Sequence, residues 1–125
     1  MKNNPKILII DDDPFILDMY VMKFSDSGFI IETASDGQAG IDKLSAFTPD
    51  IVLLDVIMPK MDGFQVIQKL NEVRKERPFK ILFLTNFGQK EDVERGMALG
   101  ADGYIIKANF TPTEVVDKVK EMIEA

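Results

Sequence analysis

A chain of 125 residues, 46% hydrophobic and 29% charged, has the size and composition of one soluble globular domain and lies far from disordered, collagenous and membrane-spanning classes. Zero cysteines remove disulfides, thiolate catalysis and cysteine-bound zinc, and zero histidines remove the commonest general base and metal ligand. A net charge of −6 without a basic stripe argues against direct nucleic-acid binding and leaves cations and protein surfaces as the expected partners.

Lys6-Ile7-Leu8-Ile9-Ile10 is apolar without alternation, the pattern of a strand covered on both faces, and it runs into Asp11-Asp12-Asp13. Asp13 before Pro14 predicts a helix start, with Phe15, Leu17, Met19, Val21, Met22 and Phe24 as apolar positions and Ser27-Gly28 as the stop. Phe29-Ile30-Ile31-Glu32-Thr33 predicts a more polar strand, placed at a sheet edge. The next helix starts near Asp36, carries Ala39, Ile41 and Leu44, and is expected to run until Pro49. Ile51-Val52-Leu53-Leu54 is a strand ending at Asp55. Gly63 to about Glu76 reads as a helix with Phe64, Val66, Ile67, Leu70 and Val73 on its apolar side and Pro78 as the breaker. Lys80-Ile81-Leu82-Phe83-Leu84 leads into Thr85-Asn86, and a fourth helix from about Gln89 to Leu99 stops at Gly100. Gly103-Tyr104-Ile105-Ile106 delivers Lys107. Thr111-Pro112-Thr113-Glu114 is a capping box that opens the last helix, with Val115, Val116, Val119, Met122 and Ile123 at helical spacing.

The order βαβαβαβαβα predicts a parallel sheet with helices on both faces, and such sheets bind ligands outside the carboxyl ends of their strands. Four strand ends deliver Asp11-Asp12, Asp55, Thr85 and Lys107 to one edge. Three adjacent carboxylates repel one another unless a cation neutralises them, and an all-oxygen ligand set suits Mg²⁺ or Mn²⁺ better than zinc. Three carboxylates, one divalent cation and the Lys107 ammonium balance in charge. Asp13 is read as a helix cap, and Pro59 and Asp62-Gly63 as residues that shape the loop and open the third helix.

This set resembles the receiver domain of bacterial two-component response regulators. The Asp11-Asp12 pair, Asp55 ahead of Val56-Ile57-Met58-Pro59-Lys60-Met61-Asp62-Gly63, Thr85 after the fourth strand and Lys107 after the fifth all match its pattern, over essentially the whole chain. The resemblance implies a flavodoxin-like (βα)5 doubly wound sandwich with strand order 2-1-3-4-5, forming one receiver domain over residues 1–125 with no effector domain. It implies that Asp55 accepts a phosphoryl group from the phosphohistidine of a sensor kinase or phosphotransfer protein, in the cytoplasm. It implies Mg²⁺ held by Asp11, Asp12, Asp55 and the backbone carbonyl of Ile57. Thr85 and Lys107 would contact phosphoryl oxygens, Asn86 would approach the phosphate, and Tyr104 would be an aromatic switch that turns inward with Thr85. Such a chain is a signalling switch and not an enzyme acting on an outside substrate.

The family places its output surface on the fourth helix, fifth strand and last helix. There Lys90, Glu91, Glu94, Arg95, Asp102, Lys118 and Glu121 make a mixed-charge face. A phosphorylation-dependent homodimer, a separate downstream protein and a fused effector are the partners expected for it. Ile57 and Phe87, two residues after Asp55 and Thr85, fall where the family's hydrolytic water passes, and neither side chain hydrogen-bonds a water, so a long-lived phosphorylated state is expected.

The chain departs from the family at Lys107-Ala108, where proline in a cis peptide is usual. A cis bond before alanine costs ~3–4 kcal/mol, so both isomers stay open and with them the placement of the ammonium. Three other readings compete. A haloacid-dehalogenase-like phosphatase expects a second Asp where Ile57 stands, a flavin carrier expects a Ser/Thr/Gly-rich loop where three aspartates stand, and a degenerate receiver acting only as an interaction module would not need the intact Asp-Asp-Asp-Thr-Lys set.

Overall fold

Five short runs pair side by side into one parallel sheet: those at Lys6–Ile10, Ile51–Leu54 and Lys80–Thr85 are too apolar to leave either face in water, and the more polar Ile30–Ala34 closes one edge. The computed structural model describes residues 4–124. In chain order the elements are β1 (Lys6–Ile10), α1 (Pro14–Asp26), β2 (Ile30–Ala34), α2 (Gly37–Lys43), β3 (Ile51–Leu54), α3 (Gly63–Arg74), β4 (Lys80–Thr85), α4 (Lys90–Ala98), β5 (Gly103–Ile106), a short 3-10 turn (Lys107–Asn109) and α5 (Pro112–Glu124). The sheet order is β2-β1-β3-β4-β5, which puts β2 at the edge that its Glu32 and Thr33 predict. The segment Met1 to Asn3 lies outside the described residues.

Strand side chains alternate between faces, and the sheet divides the interior into two cores. Leu8, Ile10, Val52, Leu54, Ile81 and Phe83 point to one side, where Phe64, Val66, Ile67 and Leu70 of α3 and Leu44 after α2 cover them. Ile7, Ile9, Ile51, Leu53, Leu82, Leu84 and Ile105 point to the other, against Tyr20 and Phe24 of α1 and Val115, Val116 and Val119 of α5. Aromatic edges lock each layer: Phe24 meets Phe29 at 4.9 Å and Phe64 meets Phe83 at 5.6 Å between ring centroids, both near T-shaped.

The helix starts follow their caps. Asp13 Oδ1 accepts from the amides of Phe15 and Ile16 at 2.9 and 3.4 Å, and Asp36 Oδ1 from Ala39 at 2.8 Å. Reciprocal boxes join Asp62 with Gln65 and Thr111 with Glu114. Two expectations need correction. The second helix ends at Lys43, short of Pro49, because the amides of Leu44, Ser45 and Ala46 reach carbonyls only three residues back and tighten the chain into a turn. Phe15 and Met22 are exposed at 84% and 67%: α1 has more apolar residues than its buried stripe can hold, and these two lie outside it.

Register decides which residues meet at the carboxyl edge. Ile10 is level with Leu54, so Asp11 and Asp55 follow side by side, and Asp55 N–H donates to Ile10 O at 3.0 Å. Leu54 is level with Phe83, which puts Thr85 one residue beyond Asp55, and Thr85 is level with Ile106, which puts Lys107 one residue beyond Thr85. The edge therefore climbs by about 3.3 Å per residue from the carboxylates towards the lysine.

Candidate functional site

Asp11 and Asp55 are the buried carboxylates among the described residues, and Asp12 beside them is exposed. One carboxylate oxygen from each lies within 4.8 Å of the others. Lys107 reaches in from β5: its Nζ donates to Asp11 Oδ2 at 2.7 Å and to Asp55 Oδ2 at 3.4 Å. The opposite oxygens are held by main chain, Asp11 Oδ1 by Asp13 N–H at 2.9 Å and Asp55 Oδ1 by Val56 N–H at 2.7 Å. Each buried carboxylate thus has one side fixed by an amide and the other turned to the ammonium.

Burial pushes the Asp11 carboxyl above its usual range, with the charge of Asp55 adding to this and the Lys107 and Asp13 hydrogen bonds opposing it. For Lys107, burial alone would lower the ammonium, but the hydrogen bond to Asp11 and the charges of Asp55 and Asp11 outweigh it and hold the group above its ordinary value. The ammonium is therefore held in its charged form. The Lys107–Ala108 bond is trans and opens the 3-10 turn, and the side chain reaches both carboxylates from there.

Thr85 is fully buried at the end of β4, and its Oγ1 accepts from Phe87 N–H at 3.1 Å. Tyr104 lies against Phe83, 5.3 Å between centroids, and its hydroxyl makes a short hydrogen bond to the carbonyl of Phe87. One peptide segment at Phe87 therefore ties the threonine to the tyrosine. Burial, then the charges of Asp92 and Asp55, push the Tyr104 phenol up to about 12, so it is a neutral donor at any ordinary pH. Asn86 is exposed. Ile57 lies in the loop after β3 with its side chain 57% exposed, and Phe87 is 37% exposed with its ring 6.2 Å from Phe64.

Gly63 forms the floor of the site. Its N–H donates to Val56 O at 2.8 Å, and a Cβ there would stand 2.3 Å from the carbonyl oxygen of Asp55, so only glycine lets α3 begin this close to β3. Three features have no residue-type signal that would have assigned them: the acceptor role of the Phe87 carbonyl, the stacking of Arg95 over Phe64 at 4.4 Å, and the network around Arg74. That arginine donates to Asp102 Oδ2, Phe79 O, Asn71 Oδ1 and Gly100 O, and so fastens the start of β5 to α3.

The donor set fits a hard divalent cation. It offers three carboxylates converging from two adjacent strand ends, in a sequence without histidine or cysteine, and one ammonium that leaves the cluster with excess negative charge.

The sequence profile of the response regulator receiver domain matches residues 7–120. This chain belongs to that family. It is 38% identical over 120 residues to the alkaline phosphatase synthesis transcriptional regulatory protein PhoP of Bacillus subtilis, covering 96% of this chain and 49% of that protein. The chain thus spans about half the length of the curated relatives it matches. Among solved structures, chemotaxis protein CheY4 of Vibrio cholerae superposes with a TM-score of 0.87 at 30% identity, covering 94% of this chain and 98% of that one. CheY in a CheX-CheY-BeF3-Mg²⁺ complex from Borrelia burgdorferi superposes at 0.85 and 29% identity, covering 94% and 88%. The fold is that of the CheY-like receiver, with the acidic pocket at the carboxyl edge of the sheet.

Proposed function

We propose that Asp55 is the phosphoacceptor of a two-component system, taking a phosphoryl group from a phosphohistidine on a sensor kinase or phosphotransfer protein. A carboxylate oxygen of Asp55 bonds to phosphorus, the phosphorus–nitrogen bond of the donor breaks, and the freed imidazole takes up a proton. Mg²⁺, held by Asp11, Asp12, Asp55 and the Ile57 carbonyl, would supply charge neutralisation to the phosphoryl oxygens. The chain's own residues do the rest. Val56 N–H fixes one face of the Asp55 carboxylate, Lys107 leaves Asp55 Oδ2 to hold an incoming anion, and the Thr85 hydroxyl is free to donate because its oxygen already accepts from Phe87. Asn86 flanks the approach, and Tyr104 follows Thr85 through the Phe87 peptide.

The observation that carries this reading is the Lys107 ammonium lying between Asp11 at 2.7 Å and Asp55 at 3.4 Å: a charge held that way is available to a dianion arriving on Asp55. Acetyl phosphate with Mg²⁺ should add one phosphoryl group to the wild type, located on Asp55 by mass spectrometry, and none to Asp55→Asn. A wild type that takes up no phosphate refutes the assignment.

The output we assign to α4, β5 and α5, in a protein acting in the cytoplasm. Among the described residues, no helix is long and apolar enough to cross a membrane. With a net charge of −6 we assign this chain no nucleic-acid contact of its own. The curated relatives include transcriptional regulators, and in a protein of that kind the switched surface would govern an effector or a second copy of the receiver. Asp102 is already paired with Arg74 at 2.8 Å, so a dimer would draw on Lys90, Glu91, Glu94, Arg95, Lys118 and Glu121. Light scattering before and after phosphorylation tests for it, and a monomer in both states assigns the surface to a different partner.

A further inference from the structure

Helix α4 buries a single residue along its length, and that residue is Gly96. Glycine is the poorest helix former after proline, so its presence in the last turns of a short, otherwise polar helix needs a steric reason. The packing supplies one. A Cβ on Gly96 would lie 2.9 Å from both Cδ2 and Cε2 of Tyr104 and 3.1 Å from Cδ2 of Phe83. Phe83 is completely buried and has nowhere to move, whereas Tyr104 is only partly buried at the open edge of β5. Of the two rings, the tyrosine is the one that must give way.

We propose that Gly96 is the positioning residue of the switch: the missing Cβ opens a notch in α4 that receives the Tyr104 ring. Through the two hydrogen bonds of the Phe87 segment, the seated ring then sets the direction of the Thr85 hydroxyl. The chain of contacts is continuous. Gly96 admits the ring, the ring's hydroxyl holds the Phe87 carbonyl, and the Phe87 amide holds Thr85 Oγ1. An oriented Phe87 amide occupies one lone pair of the threonine and leaves its O–H to point at the acceptor site. A side chain at position 96 would turn the ring out, release the carbonyl and free Thr85 to rotate. This deepens the phosphoacceptor reading and rests on it for its functional consequence, but the notch itself is tested without phosphate.

The test uses Gly96→Ala. The chain has two tyrosines and no tryptophan, so in a Tyr20→Phe background all tyrosine fluorescence comes from Tyr104. Acrylamide quenching of that emission should rise in Gly96→Ala towards the value for free tyrosine. The thermal midpoint should fall when Gly96→Ala is made in the wild type and rise when it is made in Tyr104→Ala, where the ring is gone, Phe83 can ease its 3.1 Å approach into the space left beside it, and the better helix former decides the sign. Phosphorylation by acetyl phosphate should slow in Gly96→Ala, while Gly96→Ala/Tyr104→Ala should match Tyr104→Ala alone. If Gly96→Ala does not fold, recovery of folding in the double variant supports the notch and failure there overturns it. Unchanged quenching, or a midpoint shift of the same sign in both backgrounds, also overturns it. A wild type that accepts no phosphate refutes the phosphoacceptor reading instead, and leaves the quenching and thermal results to judge the notch separately.

Discussion

Replacing Asp55 by asparagine tests the charge balance of the site before any phosphate is added. The oxygens of Asp11, Asp12 and Asp55 lie within 4.8 Å of one another. At that separation and an effective dielectric of about 20, each repulsion is worth about 3.5 kcal/mol, falling to about 1 kcal/mol for the exposed Asp12, where water screens it. Lys107 Nζ, 3.4 Å from Asp55 Oδ2, returns about 5 kcal/mol on the same scale. Attraction and repulsion at Asp55 therefore nearly cancel, and the cost of burying the charge is offset only in part, by the Val56 N–H bond to Oδ1. Asparagine keeps the shape and an acceptor oxygen for Val56 N–H while removing that cost. Asp55→Asn should stabilise the metal-free protein by about 1–2 kcal/mol, a rise of roughly 4–8 °C in melting temperature for a domain of this size. Mg²⁺ should reverse the order: at a hundred times its dissociation constant a cation bound only to the folded state adds about 2.7 kcal/mol, and Asp55→Asn or Asp12→Ala should lose most of that gain. Melting curves followed by circular dichroism in chelator and then in millimolar Mg²⁺ provide the measurement. A lower midpoint for Asp55→Asn in chelator, or a wild type indifferent to Mg²⁺, refutes the electrostatic argument.

Ile57→Asn and Phe87→Glu should each speed phosphate loss from Asp55, by about fivefold if the new side chain contributes one hydrogen bond of ~1 kcal/mol to the attacking water; decay followed at fixed Mg²⁺ that is no faster in either variant removes water exclusion as the reason for a long lifetime. Arg74→Ala should cost about 2–4 kcal/mol in urea unfolding, since it removes four donated hydrogen bonds, two of them to the main-chain carbonyls of Phe79 and Gly100, and leaves Asp102 Oδ2 to the Ile81 N–H, yet should leave Asp55 phosphorylation intact; a loss under about 0.5 kcal/mol would mean that water replaces the network. Both tyrosines have raised phenols, Tyr104 up to about 12. The folded value thus exceeds the unfolded one near 10, so the stabilisation is complete below about pH 10 and is lost as pH rises towards 12. In a Tyr20→Phe background, where Tyr104 is the one tyrosine, tyrosinate absorbance should therefore be nearly absent at pH 10 in the folded chain, and its appearance there with the fold intact would contradict the placement of Tyr104.

The strands and their terminal residues were legible because both follow from one physical demand. A strand covered on both faces must be uniformly apolar, and the first polar residue after it marks where the sheet meets water. Asp55, Thr85 and Lys107 each stand at such a break. The caps at Asp13, Asp36, Asp62 and Thr111 were equally plain, since a side-chain acceptor at that place has one obvious use. Helix faces were less so. Eight apolar residues in α1 cannot all fit one stripe, and composition does not say that Phe15 and Met22 are the ones left outside. Nor could residue types reveal that Lys107 reaches Asp11 across a trans bond to Ala108, because that depends on the turn that follows. The Phe87 carbonyl is a main-chain atom that every residue carries, so only coordinates assign it to Tyr104. The purpose of Gly96 is likewise invisible without its neighbour, since a glycine before Gly100 reads only as a weak spot near a helix end.

The helices adhere to the sheet very unequally. Helix α3 sinks Phe64, Val66, Ile67 and Leu70 into the interior, and α5 sinks three valines. Helix α4 has no fully buried side chain, Val93 being only half-buried, while the turn behind it is pinned by Arg74 through Gly100 and Asp102. It behaves as a flap fastened at one hem, so lifting it tears almost no apolar surface from the sheet. Its amides should be among the first to exchange with solvent in the folded protein. A signal passing through this flap can be weak, because the molecule can spare its grip there without loosening the rest.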